Sequence, residues 1–377
     1  MSACEVCGGP LAAIPGYGGL RRMTSDCRPF ATGGSLYACA SCGAVQKRND
    51  EAWRADCATI YAMYDSYGLT GGAEQAVRSA DGAEFGPRSE IVLRRLEAGL
   101  SLPPTGRLLD FGCGRGVTAR AVAPVLPGWT IDGFDQDDRA RAELAEIAGF
   151  GRLYTSDPAQ LPADYDVIVL MHALEHIPDP SAMLARLAGK LRSGGSIVCQ
   201  VPDRRGNPYD LLVADHLMHF DTDSLLRVAA RAGAGLVAEV RTWIPKELTL
   251  VMSPAGLASP PTPALGEVDA AVQVEWLRQV AQLSVAATAR GPFCIFGTSV
   301  VATWLASELP RAPTLYLDED PAKIGRSLEG VPIVRPDEAP AGSTVLLALA
   351  PVTAMAVAHR FAALGVSFVL PPPYPPA

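Results

Sequence analysis

Arg107-Leu108-Leu109-Asp110-Phe111-Gly112-Cys113-Gly114-Arg115-Gly116 is the stretch whose reading decides the fold. The apolar run from Leu108 to Phe111 reads as a buried strand. It breaks into Gly-x-Gly-x-Gly, and then a helical pattern begins at Val117, Ala121, Val122 and Val125. Strand, tight turn and helix start make the geometry of nucleotide-type cofactor sites in open α/β sheets. The spacing is not the dinucleotide G-x-G-x-x-G, and no Lys-Ser/Thr follows, so a phosphate-cradling loop is excluded as well. Asp110 ahead of the turn suits a ligand whose cationic end passes close to backbone. A structural glycine turn in another kind of α/β protein is the alternative.

Working outward, the next apolar run, Trp129 to Phe134, ends in Asp135, where an acid can take two ribose hydroxyls. Asp166 to Met171 reads as a further buried strand leading into Ala173-Leu174-Glu175-His176-Ile177-Pro178. The pattern predicts strands over 107–111, 129–134, 152–154, 166–171 and 195–201. Helices are predicted over 116–126, 137–148 and 180–192, and a leading helix over 85–100 capped by Ser89. Strands alternating with helices imply an α/β fold with a doubly wound parallel sheet. Ligands then bind at the carboxyl ends of the strands, where all these candidate residues lie. A helix after residue 222 and strands over 235–242 and 246–252 would complete seven strands with an antiparallel edge.

After the glycine turn, residues 202–221 are the most chemically loaded: Pro202-Asp203-Arg204-Arg205-Gly206-Asn207-Pro208-Tyr209-Asp210, then Asp215-His216-Leu217-Met218-His219-Phe220. Of five histidines, His172, His176, His216 and His219 fall at or beyond strand ends. Histidine moves protons near neutral pH, so a catalytic histidine is expected among them. A metal site is the lesser alternative.

At 377 residues the chain is too long for one core, so two or three units are expected, and the segments read as three. Residues 1–55 carry Cys4-Glu5-Val6-Cys7-Gly8 and Cys39-Ala40-Ser41-Cys42-Gly43. Two C-x-x-C-G knuckles fit a structural, tetrahedral zinc site of Cys4, Cys7, Cys39 and Cys42, with a redox dithiol as the lesser reading. Cys27 is a spare, a buried filler or the lining of a neighbouring site. Residues 56–253 hold the cofactor sheet. Before it, Tyr61, Tyr64 and Tyr67 with Gly71-Gly72-Ala73-Glu74-Gln75 read either as packing or as a lid over the pocket. A proline-rich linker follows residue 253, then a long amphipathic helix over 266–289. Residues 264–377 read as a second, smaller Rossmann-like unit. Its single turn glycine, Gly297, makes it a scaffold or a docking platform rather than a dinucleotide site.

A net charge of −8 without a basic block argues against nucleic acid, and the acidic balance argues against an anionic membrane. With 49% hydrophobic and 19% charged residues, no signal-like start and no long apolar span, a cytoplasmic protein with a small-molecule substrate is expected. The sequence leaves monomer and dimer open.

The stretch around Asp110 resembles motif I of class I S-adenosylmethionine (SAM) methyltransferases. The resemblance implies that Gly112, Gly114 and Gly116 admit the methionine part and that Asp110 orients its amino group. It further implies that Asp135 holds the ribose, that Ser156 and Asp157 contact adenine, and that Met171 lines the cofactor site. Over nearly its whole length the chain is similar to the deoxysugar C-methyltransferases, which methylate C3 of nucleoside-diphosphate 4-keto-6-deoxyhexoses. His176-Ile177-Pro178 matches that family's histidine setting, and Asp215-His216 with Phe220 matches its acid–histidine pair, Asp standing for Glu. Tyr64 and Tyr67 approximate its tyrosine lid. Val213 stands where the family has Tyr, and Phe296-Gly297-Thr298 where it has Tyr-Gly-Ala. The implied mechanism has His216 as base, oriented by Asp215, with His176 or Tyr64 polarising the carbonyl. O- or N-methyl transfer to a sugar or another small natural-product intermediate is the runner-up. A zinc-bearing, non-catalytic binding protein is the reading from another class.

Overall fold

A computed structural model of the chain describes residues 3–65, 67–254, 269–289 and 291–374. Its centre is a seven-stranded sheet. In spatial order the strands are Phe150–Tyr154, Thr130–Phe134, Arg107–Phe111, Tyr165–Met171, Leu191–Pro202, Glu247–Ser253 and Val237–Arg241. The first five are parallel neighbours, and Glu247–Ser253 runs antiparallel to both strands beside it. The antiparallel member is therefore inserted next to the edge rather than forming it.

Near-continuous apolar strands are explained by burial on both faces. Leu109, Ile168 and Leu170 join one core with Leu184, Leu187 and Val228 of the helices Pro180–Ala188 and Thr222–Ala232. Leu108, Val167 and Val169 point the other way, onto Ile91, Leu96 and Val122 of Arg88–Gly99 and Val117–Val125. Alternate residues of one strand thus serve opposite layers. Each fully buried Leu or Val contributes about 1.5–3 kcal/mol.

Three boundaries differ from the sequence pattern, each for a local reason. The helix predicted over 137–148 is reduced to Arg141–Ala145. Asp137 accepts the Arg139 N–H and Asp135 accepts the Asp137 N–H, and such side-chain bonds hold the backbone in turns that compete with helix. The helix predicted over 180–192 ends at Ala188, and the next strand starts at Leu191. Gly194, at φ +85°, and Gly195 carry the strand through a register shift, so residues that looked helical belong to the sheet. Ser89 does not cap the leading helix. It lies inside Arg88–Gly99, and its N–H and hydroxyl both donate to the Glu74 carboxylate.

The N-terminal residues form a four-stranded sheet of Leu11–Ala13, Tyr37–Cys39, Val45–Gln46 and Met218–His219. Its last strand comes from the loaded segment after the fifth central strand. A six-stranded sheet around Phe293–Phe296 makes up the C-terminal part. Tyr17, Leu36, Tyr209, Trp276, Phe293 and Trp304 share one core, so N-terminal segment, central loop, helix Ala270–Ala287 and C-terminal sheet pack together. The predicted linker lies mostly outside the described residues. Among those residues, no helix is long and apolar enough to cross a membrane.

Candidate active site

The strand Arg107–Phe111 delivers Asp110 to the carboxyl edge of the sheet, 1% exposed. Beyond it Gly112, Gly114 and Gly116 all have positive φ. The turn is tied to the neighbouring strand: Gly112 N–H donates to Phe134 O at 2.8 Å, and Gly114 N–H to Asp135 Oδ2 at 2.8 Å. A Cβ at Gly112 would sit 2.8 Å from Ala173 Cβ, so the turn passes too close to the fourth strand's loop for any side chain. Among the described residues, Asp110 Oδ1 is buried with no hydrogen-bond partner. Burial, opposed by a bond from Thr118 and helped by the charges of Asp135 and Glu74, pushes the Asp110 carboxyl up to about 7. A buried, unmatched carboxylate oxygen beside an open turn is a demand for a cation. Each Asp135 oxygen accepts one backbone N–H, from Gly114 or Asp137, which leaves a lone pair on each for a pair of hydroxyls. The residues therefore fit the ammonium and ribose of SAM.

A cavity of about 580 Å³ lies beyond the carboxyl ends of the central strands; its lining includes Tyr67, Arg88 and His172 but none of Asp110, the turn glycines or Asp135. The N-terminal segment supplies Ser25, Tyr64 and Tyr67. The central sheet's loops supply His172, His176, Asp210 and His216, and the C-terminal unit supplies Thr298, Ser299 and Lys323. His216 Nδ1 lies 2.7 Å from Asp210 Oδ1. Burial disfavours its imidazolium, but Asp210 carries the ring above the ordinary histidine range. His176 stands edge-on to it, ring centres 4.8 Å apart, with Nδ1 3.0 Å from Tyr61 Oη and 3.1 Å from Asp215 O. Burial and the charge on His216 lower His176. His172 faces Glu175 and Glu247 at 3.4 Å each. Burial and Arg88 oppose its charge, yet the two carboxylates raise it to about 9. Ser25 donates its N–H and hydroxyl to Asp215, and Tyr64 Oη lies 3.3 Å from Ser25 Oγ.

Residues 87–239 match a family model described as a methyltransferase domain. A ubiquinone biosynthesis O-methyltransferase of Ralstonia nicotianae is 31% identical over 166 residues, 41% of this chain and 69% of that protein. This chain belongs to the class I SAM-dependent methyltransferases. Its match to the ubiquinone biosynthesis O-methyltransferase of Thiobacillus denitrificans is 32% identical, over 35% of this chain and 60% of that protein. Its match to the biotin biosynthesis bifunctional protein of Bordetella avium spans 24% of that relative. Among solved structures, an O-methyltransferase family 2 protein from Planctomyces limnophilus in complex with apigenin is 22% identical. That alignment covers 44% of this chain and 56% of the other, with a TM-score of 0.36.

Within this methyltransferase, Asp110, Gly112, Gly114, Gly116 and Asp135 meet at one turn. Met171 closes the fourth strand, and Ser156 and Asp157 follow the third, exposed, with Asp157 Oδ1 accepting the Ala159 N–H. His216, His176 and Tyr64 meet at the cavity. One expected pairing is corrected. The carboxylate bonded to His216 belongs to Asp210, six residues back on the Pro208–Leu212 turn, whereas Asp215 faces Ser25 and lies 3.6 Å from His176 Nδ1. The chain bends at Ala214 and Asp215, so Asp215 and His216 flank the His176 ring while the Pro208–Leu212 turn brings Asp210 onto His216. Tyr61, not Tyr64, contacts His176. The sequence pattern assigns no role to Asp210, Lys47 or Ser25, and holds His219 only as one of four candidate histidines. The Asp210…His216…His219 spacing was visible, but nothing local marks Lys47 or Ser25, whose partners lie far along the chain.

The four N-terminal thiols also converge. Their sulfurs all lie within 4.8 Å of one another, with Cys4–Cys42 at 3.8 Å and Cys7–Cys39 at 3.4 Å. A tetrahedron with metal–sulfur bonds of about 2.3 Å needs sulfurs roughly 3.8 Å apart. Val6, Gly9 and Ser41 turn their N–H groups toward the Cys4, Cys7 and Cys39 sulfurs. The set fits zinc. Cys27 lines the cavity instead.

Proposed function

We propose that this chain methylates a carbon beside a ketone in a nucleotide-linked deoxysugar, with His216 as general base. The observation that carries the reading is the 2.7 Å bond from His216 Nδ1 to Asp210 inside the cavity. It leaves Nε2 as the proton acceptor. Bound SAM supplies an electrophilic methyl on its sulfonium. The remaining task is to make a carbon nucleophile. His216 takes the proton α to the carbonyl, and the C–H electron pair moves into the enolate. His176 or Tyr64, both on the cavity wall, would donate to the enolate oxygen. Lys246 lies on the cavity wall with Arg28 and Lys323, which are shared with Asp26 and Asp318, and these would meet an anionic diphosphate end, whereas Arg88 is paired with buried Glu247. The N-terminal thiols would hold a structural zinc, clipping together a segment with little core of its own. Metal analysis should return one zinc per chain, and none in a Cys4→Ser/Cys39→Ser double variant.

The test of the base is wash-in of solvent deuterium. With a nucleoside-diphosphate 4-keto-6-deoxyhexose and S-adenosylhomocysteine in D2O, the wild type should exchange the α-proton. His216→Ala should slow that by about 10²–10⁴-fold while still binding S-adenosylhomocysteine. Unchanged exchange removes His216 from the role. The names of the relatives favour a second reading, transfer to oxygen, in which His216 would accept a hydroxyl proton. A product whose methyl is bonded to oxygen, with the α-hydrogen retained on carbon, selects it.

A further inference from the structure

Behind His216 lies a row of buried polar groups that the reaction does not touch. The strand Val45–Gln46 pairs antiparallel with Met218–His219, Val45 opposite His219. Lys47 follows directly, 3% exposed, its N–H bonded to Leu217 O at 2.8 Å. Its Nζ reaches Val213 O at 2.6 Å, His216 O at 3.0 Å and His219 Nε2 at 2.9 Å. Three acceptors match the three hydrogens of an ammonium, although burial, opposed by Asp210 and Asp215, lowers Lys47 to about 7, so the row is complete in the protonated form. His219 Nε2 is thereby an acceptor, so the neutral ring carries its hydrogen on Nδ1. That nitrogen lies 2.7 Å from Asp210 Oδ2, and Asp210 Oδ1 takes His216 Nδ1. Both carboxylate oxygens then accept, and His216 in turn must carry its hydrogen on Nδ1.

We infer that Lys47 and His219 are positioning residues, which act through Asp210 to hold His216 in the tautomer that presents a bare Nε2 to the cavity. The inference rests on the reading of His216 as base. Its consequence is that the last strand of the cysteine-bearing segment helps build the catalytic centre. Glu175, Asp215 and His176 also face His216, and Asp210, Asp215, Arg22 and Cys57 face Lys47. Among these, Asp210 is the group hydrogen-bonded to the His216 ring. Burial and the Lys47 charge lower His219 to about 4, which keeps that ring neutral across the working range.

The tautomer can be read without any acceptor, by long-range proton–nitrogen NMR of the full chain bound to S-adenosylhomocysteine. Wild-type His216, when neutral, should be the Nδ1–H form. Asp210→Asn should mix the tautomers and lower the ring's titration by about one pH unit or more, a tenfold change in proton affinity. Lys47→Met should free the His219 tautomer and mix that of His216. His219→Asn places an amide nitrogen near the lost Nδ1 and should preserve the wild-type pattern, whereas His219→Gln, with its nitrogen near Nε2, should lose it. An unchanged His216 tautomer and titration in folded Asp210→Asn or Lys47→Met overturns the inference. Should those variants fail to fold, equal spectra from the His219→Asn and His219→Gln chains do so. A correctly held tautomer with deuterium wash-in unaffected by His216→Ala would instead overturn the base and leave the row standing.

Discussion

The molecule contains the same local design twice, and the two copies differ in what they leave unsatisfied. In the central sheet, Arg107–Phe111 runs through the glycine turn into Val117–Val125. In the C-terminal sheet, Phe293–Phe296 runs through Gly297-Thr298-Ser299 into Val300–Glu308. Each is followed by a strand ending in an acid, Asp135 or Asp318. At the first turn Asp110 Oδ1 is buried without a partner among the described residues. At the second, Ile295 stands in the place of Asp110, and Asp318, the counterpart of Asp135, accepts the Thr298 hydroxyl at 2.5 Å, the Asp320 N–H at 2.9 Å and Lys323 Nζ at 3.3 Å. One turn is electrostatically incomplete until a ligand arrives; the other has closed its acid on itself. Strand, turn and helix supply a place, and the unpaired group decides whether it is a site.

The largest contrast is expected from the turn glycines. Gly112→Ala puts a Cβ on a backbone with φ +89° and 2.8 Å from Ala173 Cβ. S-adenosylhomocysteine affinity should fall by about 100-fold or more, roughly 2.7 kcal/mol. Gly297→Ala, with φ +100° and its Cβ 3.2 Å from Ala348 O, should lower thermal stability by an amount on the order of 1–3 kcal/mol. It should leave that affinity unchanged. Calorimetry and thermal denaturation read the pair, and equal losses of affinity would erase the distinction.

A smaller effect follows from the charge on Asp110. Its folded value, about 7, lies above the ordinary carboxylate range. The stability this carboxyl contributes to the free protein is present at acid pH and is lost as pH rises through about 7. Ligand binding has the opposite sign, because an ammonium requires the ionised form. Affinity for S-adenosylhomocysteine should fall about tenfold per pH unit below 7 and level off above it. Titrations at pH 6 in buffers of different ionisation heat should show a proton released on binding, and Asp110→Asn should flatten the profile. A flat wild-type profile would mean that the ligand's amine sits elsewhere.

Much of this was legible in the residues. Apolar runs marked four of the five parallel strands, because strands covered on both faces need no polar alternation, whereas Phe150–Tyr154 lies at the sheet edge with Gly151 and Arg152 exposed. The cysteine knuckles and the Asp110 and Asp135 ends were equally local. What the sequence hid was long-range or competitive. Asp137 captured backbone that periodicity assigned to a helix. Glu74 took the capping role assigned to Ser89, from across a loop. Asp210 replaced Asp215 at His216 because the turn of Pro208–Leu212 folds back on the histidines. Lys47 reached His219 only through strand pairing between residues far apart in the chain. Pairings of that kind are fixed by tertiary packing, and no periodicity records them.

The measurement that bears most directly on the contrast between the turns is a calorimetric titration of the full chain with S-adenosylhomocysteine, run on Asp110→Ala and Asp318→Ala side by side. Wild type and Asp318→Ala should each bind one equivalent with the same affinity, and Asp110→Ala should lose about 100-fold or more. Undiminished binding by Asp110→Ala, or its loss in Asp318→Ala, would place the cofactor at the wrong turn and contradict the assignment.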